Sequence, residues 1–181
     1  MSYKELIRNW HTKASEEDYF SKFVFEYLAF IAYLKTQRYR NSDTDRSAIQ
    51  QLKADNGLKQ KYISLINTKR VLKEDWEHIK EELDNIRLGN ASRDMNNVEE
   101  IKWWNCPHLD LNQMTTDEKV KTKGVIHSLT NWQNMVEFWH SIRNNLFHGA
   151  KDPEQRRDKL VVKYGYRTLK ELVEILINET N

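Results

Sequence analysis

The stretch Trp139-His140-Ser141-Ile142-Arg143-Asn144-Asn145-Leu146-Phe147-His148-Gly149 decides how the rest of the chain is read. Trp139, Ile142 and Leu146 recur at three- and four-residue steps, as in the last turns of an amphipathic helix, and Gly149 is placed as its C-cap. Arg143, Asn144 and His148 interrupt that apolar run. Arg143 lies four residues after Trp139 and three before Leu146, so its stem belongs to the apolar side. Burying a guanidinium is costly unless it is paired or belongs to a site. Chemistry is therefore sought here first, with the remaining chain as scaffold.

Toward the N-terminus the same period continues through Val125, Leu129, Trp132 and Val136, which predicts a helix from about Lys123 to His148. Gln133, Glu137, Ser141, Asn144 and His148 fall on a second, polar stripe of that helix. Toward the C-terminus, Asp152 as N-cap, Pro153 at the first helical position and Gln155 as capping-box partner predict a new helix start. Leu160, Val161, Tyr164, Leu169, Leu172, Val173 and Leu176 carry that final helix, and Gly165 either kinks it or permits close packing.

Residues 1–14 read as a lead-in, with Leu6, Ile7 and Trp10 on a short docking helix. Ser15 is the expected N-cap of a helix reaching about Arg38, with Phe20, Phe23, Val24, Tyr27, Leu28, Ile31 and Leu34 on its apolar stripe. Phe25, Phe30 and Tyr33 lie off that stripe, so this helix is either central or also faces another subunit. Asp43 or Thr44 caps a segment from Asp45 to Ala54, which Asn56-Gly57 interrupts. Leu58 to Ile66 and Val71 to Leu88 follow, ended by Gly89-Asn90, and this whole middle part reads as one broken or two consecutive helices. Residues 89–122 are irregular and polar around Trp103, Trp104, Cys106, Pro107 and His108, and loops this long are often functional.

The 181 residues suit a single domain, 1–181, with 89–122 as an excursion. Hydrophobic residues at 39% supply a core, while five Gly and two Pro argue against a loop-rich β protein. The expected fold is all-α, an antiparallel (up-and-down) helical bundle with an extra irregular segment before the motif helix. A single cysteine excludes an internal disulfide, and Cys106 with His108 lacks a second pair at metal-ligand spacing. No metal or other cofactor is expected. The N-terminus lacks a signal-peptide layout and the apolar patch Phe23 to Leu34 is too short to span a bilayer, so a cytoplasmic protein without a membrane partner is expected.

A net charge of +2 does not announce a nucleic-acid binder, but its distribution is informative. Nine acidic residues face three basic ones from Glu74 to Glu100, whereas seven basic residues face three acidic ones from His140 to Arg167. Positive charge thus gathers around the opening stretch, the polarity a phosphate-bearing ligand prefers, although a solvated helix face produces the same pattern. His148 stands five positions after Arg143, so a regular helix turns their side chains apart by roughly 140°. A two-fold dimer apposing two copies of the helix end would gather both pairs in one cleft.

Such a cluster suits metal-free cleavage of an RNA phosphodiester, because RNA brings its own 2′-hydroxyl nucleophile. Histidine exchanges protons near neutral pH, arginine holds the phosphate and its developing charge, and asparagine orients either group. The helix C-terminus favours the protonated imidazole, hence a general-acid or phosphate-binding role. Glu137 and Ser141 are candidate supports, and Lys151, Arg156 and Arg157 are candidate RNA contacts. The plainer readings are a helix end with a favourable C-terminal cation, His78, His127 and His140 as ordinary helix residues, and Trp132 and Trp139 as core.

The run Ile142-Arg143-Asn144-Asn145-Leu146-Phe147-His148-Gly149 resembles the signature of the HEPN (higher eukaryotes and prokaryotes nucleotide-binding) superfamily. That signature is an arginine, a polar residue that is often asparagine, a few further residues and a histidine, on a late helix of an all-α bundle. The aromatic-rich first helix and the Asp-Pro restart add to the likeness. The resemblance implies a homodimer with the motif at its cleft and, in many members, a metal-independent endoribonuclease of toxin–antitoxin or anti-phage systems. Arg143, Asn144 and His148 are then the catalytic set, and an antitoxin or a neighbouring-gene product is an expected partner. In members silenced by a nucleotidyltransferase antitoxin, an AMP-accepting tyrosine stands two residues past the histidine, and here that position is Ala150. Other members bind RNA, nucleotides or partner proteins without cleaving, so the alternative is a non-catalytic module.

Overall fold

A computed structural model describes residues 3–14, 18–85, 88, 124–148, 151 and 154–179. They form seven α-helices and, among the described residues, no strand: α1 (Tyr3–Ala14), α2 (Tyr19–Tyr33), α3 (Asp45–Ala54), α4 (Asn56–Thr68), α5 (Arg70–Asn85), α6 (Trp132–Phe147) and α7 (Arg156–Asn178). The expected excursion 89–122, the C-cap Gly149 and the residues Asp152 and Pro153 lie outside the described residues, and the expected start of the final helix is corrected, because Gln155 is its extended N-cap residue and the helix begins at Arg156. No helix among the described residues is long and apolar enough to cross a membrane.

The N-cap of α2 is Asp18, whose Oδ1 accepts from the amides of Phe20 at 2.8 Å and Ser21 at 3.3 Å, where Ser15 had been expected to cap. Such a cap contributes about 1 kcal/mol by satisfying amides that have no intrahelical partner. A π-helical turn, Leu34–Arg38, extends α2. Both sides of α2 are covered within the chain. Phe23, Tyr27, Phe30 and Leu34 enter the main core, while Phe25 stacks on Trp10 of α1 with ring centroids 5.4 Å apart. Phe25 therefore owes its off-stripe position to α1. Beneath α1, His11 Nδ1 donates to the buried Glu26 Oε1 at 2.7 Å.

Residues 45–85 fold as three helices where one broken or two consecutive ones were expected. Thr44 caps α3, and the break falls at Asp55 rather than at Asn56-Gly57. Asp55 Oδ1 accepts from the Leu58 amide at 2.9 Å, which starts α4, and its Oδ2 accepts from Arg38 Nε and from the Tyr39 hydroxyl, each at 2.7 Å. One carboxylate thus starts a helix and anchors it to the end of α2.

Around α6 the core is aromatic. Trp76, Trp132, Trp139, Tyr62 and Phe138 are fully buried, with ring centroids 5.5–6.2 Å apart across Trp76–Trp139 and Trp132–Trp139. Their polar atoms are satisfied: Trp132 Nε1 donates to Leu52 O, Trp76 Nε1 to the Tyr62 hydroxyl, and Trp139 Nε1 to Thr168 Oγ1. This meets the requirement that buried indoles find a partner. Trp132 and Trp139 are core residues, as the plainer reading had them. Gly165 permits close packing: a Cβ there would stand 2.5 Å from Ile142 Cδ1 and 3.3 Å from Phe23 Cε2.

The expected start of the motif helix is corrected. Residues 124–131 form turns, with Gly124 at φ 73°, and α6 begins at Trp132. Val125 and Ile126 are buried from this turn segment, so their apolar spacing reflects core contact without helix.

Candidate functional site

Helix α6 is central, and every described residue from Asn134 to Ile142 is buried. Exposure begins at the motif: Arg143, Asn144, Leu146 and His148 are partly accessible, and Phe147 is 58% exposed. The residues that resemble a site are thus the ones α6 brings to the surface.

Arg143 meets Asn144, Asp45 and Phe147. Its Nη1 donates to Asn144 Oδ1 at 3.1 Å, its Nη2 lies 3.6 Å from Asp45 Oδ2 on α3, and its guanidinium carbon sits 4.6 Å from the Phe147 ring centroid. Stacking on an aromatic face and one neutral hydrogen bond fix the plane of the guanidinium while leaving it 30% exposed. His148 ends the helix, with its backbone amide donating to Asn144 O at 3.0 Å. Among the described residues no hydrogen bond or ion pair joins Arg143 to His148. One copy of the chain brings Arg143 and Asn144 together.

The supporting residues divide. Glu137 is buried, its Oε2 accepting from Arg46 Nη1 at 2.9 Å and its Oε1 from Lys53 Nζ at 2.7 Å. Burial pushes the Glu137 carboxyl up, but the two cations outweigh it and hold the group below its ordinary value. Glu137 clamps α3 to α6 and faces away from solvent. Ser141 is fully buried and interacts within the chain. Both polar-stripe residues are thus buried, and Glu137 is turned to the cations of α3.

Lys151 pairs with Asp158 and its side chain is only 4% exposed. Burial lowers the Lys151 ammonium, opposed by Asp158, and this lysine is spent inside the fold. Arg157 is half-buried and also interacts within the chain. Arg156, by contrast, is exposed on the first turn of α7. His140 is buried beside the Tyr27 hydroxyl, 3.0 Å from its Nδ1, and burial pushes its pKa down to about 4. It is neutral at physiological pH, which leaves His148 as the accessible imidazole of α6.

Sequence reasoning missed two members of this site. Phe147, four residues after Arg143, was open to detection, because that spacing places the ring under the guanidinium. Asp45, 98 positions away, carried no local signal. Among the described residues no group of three or more His, Cys, Asp or Glu side chains is placed to hold a metal ion. Comparison of the chain with protein-family models, with curated proteins and with solved structures finds no match.

Proposed function

We propose that this chain is a HEPN-type, metal-independent endoribonuclease that acts as a homodimer through the motif helix of an antiparallel bundle. The observation that carries the reading is the change of exposure along α6. A helix buried from Asn134 to Ile142 emerges with Arg143, Asn144 and His148 at its accessible end. Arg143 clamps the phosphate, Asn144 orients Arg143 through its 3.1 Å hydrogen bond, and His148 transfers the proton to the leaving oxygen. The 2′-hydroxyl attacks phosphorus and loses its proton to solvent, the bond from phosphorus to the 5′-oxygen breaks as that oxygen takes the His148 proton, and a 2′,3′-cyclic phosphate remains, with solvent reprotonating His148. On a regular helix Arg143 and His148 turn apart, so the cleft takes both residues from two copies. A role in a toxin–antitoxin or anti-phage system, in the cytoplasm, with an antitoxin or neighbouring-gene partner, accords with that activity.

The test is cleavage of single-stranded RNA in EDTA, with cyclic-phosphate ends identified by mass spectrometry. Replacement His148→Ala or Arg143→Ala is expected to lower the rate at least about 100-fold, in the range of a lost acid or charge-stabilising group. Equal cleavage by the wild type and His148→Ala would sink the reading. One observation favours a second one, a non-catalytic RNA-binding module: Asp45 already engages the Arg143 guanidinium. That reading gives salt-sensitive binding without turnover.

A further inference from the structure

Between the first turns of α2 and α7 lies a groove of about 590 Å³. Its apolar part is made by Tyr19, Phe20 and Leu160, and its cations are Arg156, Lys159 and Lys163. The Tyr19 ring is 39% exposed, and the ammonium groups of Lys22 and Lys163 stand 5.2 and 5.7 Å from its centroid. Two carboxylates also border the groove, and both are engaged. Asp18 caps α2 and accepts from Ser21 Oγ at 2.7 Å, while Glu154 lies 3.5 Å from Lys159. Arg156 and Lys163 have no carboxylate within ion-pair distance among the described residues. An aromatic face flanked by cations that no described carboxylate pairs is a surface on which a nucleobase stacks while its phosphates meet positive charge.

The groove's position ties it to the motif. Ile142 of α6, Gly165 of α7 and Phe23 of α2 meet at one crossing. Trp139 pairs with Thr168 and His140 with Tyr27, so advancing along α6 means going back along both α7 and α2. From the crossing, His148 is about 9 Å along α6, Lys159 about 9 Å along α7 and Tyr19 about 6 Å along α2, all toward the same end of the molecule.

We infer that this groove binds a nucleotide of single-stranded RNA, with the base on Tyr19 and the adjoining phosphates on Arg156 and Lys163. This deepens the ribonuclease reading and rests on it for the strand's course toward Arg143 and His148. The groove serves as a strand-positioning site apart from the reacting phosphodiester.

The experiment measures fluorescence anisotropy of a labelled 2′-O-methyl oligonucleotide, which has no free 2′-hydroxyl to attack, on the full chain across a salt series. Tyr19→Ala is expected to weaken binding about 5- to 100-fold, the range of one lost base stack, and Tyr19→Phe to bind as the wild type does. Lys163→Ala and Arg156→Ala should each reduce the slope of log affinity against log salt by about 0.7. Circular dichroism checks that each variant folds, and exposed Arg156→Ala serves if Tyr19→Ala does not. Wild-type affinity in folded Tyr19→Ala, or in Arg156→Ala and Lys163→Ala together, overturns the groove. AMP binding as tightly as the oligonucleotide overturns it too, since the occupant would then be a free nucleotide. If the groove variants lose binding while His148→Ala cleaves like the wild type, the strand site stands and the ribonuclease reading falls. Cleavage lost in His148→Ala with unchanged binding in the groove variants gives the converse.

Discussion

Asp45 Oδ2 on α3 stands 3.6 Å from Arg143 Nη2 on α6, so the arginine that would clamp a phosphate already faces a carboxylate. The same Asp45 carboxylate lies 3.3 Å from Lys35 Nζ, and both side chains of the Arg143 pair are about one-third exposed. An ion pair of this length and exposure contributes less than about 1 kcal/mol, so a phosphate brought to Arg143 would displace it readily. Asp45→Asn is therefore expected to unfold in urea within about 1 kcal/mol of the wild type and to bind the 2′-O-methyl oligonucleotide a few-fold tighter. Weaker binding in that variant would show that Asp45 holds Arg143 in its productive position.

Glu137 joins two helices through two cations, and its loss leaves Lys53, which is only 19% exposed, without a carboxylate. Breaking a buried pair from one side costs more than the pair itself contributes. Glu137→Ala should lose about 2–3 kcal/mol of unfolding free energy, below the fully buried case because Arg46 is half exposed and is rehydrated. The carboxyl's folded pKa lies below its ordinary 4.5, so its contribution is complete above that pH and disappears as pH falls through the lower folded value. Urea unfolding of both proteins at pH 7 and pH 3.5 should show the gap narrowing at the acid end.

How much of this was open to the sequence depends on the range of the forces. Helix α2, the Leu58, Tyr62 and Ile66 face of α4, and the Trp76, Ile79 and Leu83 face of α5 follow from period, and the named residues of α4 and α5 are buried. The motif was likewise legible as a helix end. The fate of the polar stripe was not, because Glu137 is paired with Arg46 and Lys53, 91 and 84 positions away. Periodicity separates polar from apolar faces, but it carries no information on whether a polar face meets water or the cations of another helix. The helix break at Asp55 was missed by one residue for a similar reason. Asn56-Gly57 is the stronger local turn signal, yet the Asp55 carboxylate, held by Arg38 and Tyr39, turns those two residues into the first turn of α4.

His140 gives the fold an acid sensitivity of its own. Unfolded, its imidazole takes a proton near 6.5, whereas burial keeps the folded side chain neutral until about 4. Between those values the unfolded state binds more protons, so stability falls as pH drops, by up to about 1.4 kcal/mol per unit and on the order of 3 kcal/mol across the window. His140→Gln retains a hydrogen-bonding group for the Tyr27 hydroxyl and removes the titration. Its unfolding free energy should therefore fall less than that of the wild type between pH 7 and pH 4.5. Parallel curves for the two proteins would mean that His140 takes up its proton without leaving the core.

Gly165 sets the distance between α7 and α6, because a Cβ there would come within 2.5 Å of Ile142 Cδ1. Alanine gains about 1 kcal/mol in helix propensity over glycine, and overpacking a filled crossing costs about 1–3 kcal/mol, so the clash decides the sign. Gly165→Ala is expected to be destabilising by up to about 2 kcal/mol, the overpacking cost less the propensity gain. Removing the offending methyl with Ile142→Val should restore part of that loss, and the double-mutant cycle should return a favourable coupling of about 1 kcal/mol. Ile142 adjoins Arg143, so the same steric shift is carried to the helix end. If Gly165→Ala slows RNA cleavage and Ile142→Val recovers it, the crossing governs the placement of Arg143. Additive free energies in the cycle would instead show that Phe23, whose Cε2 would lie 3.3 Å from the new Cβ, takes up the strain.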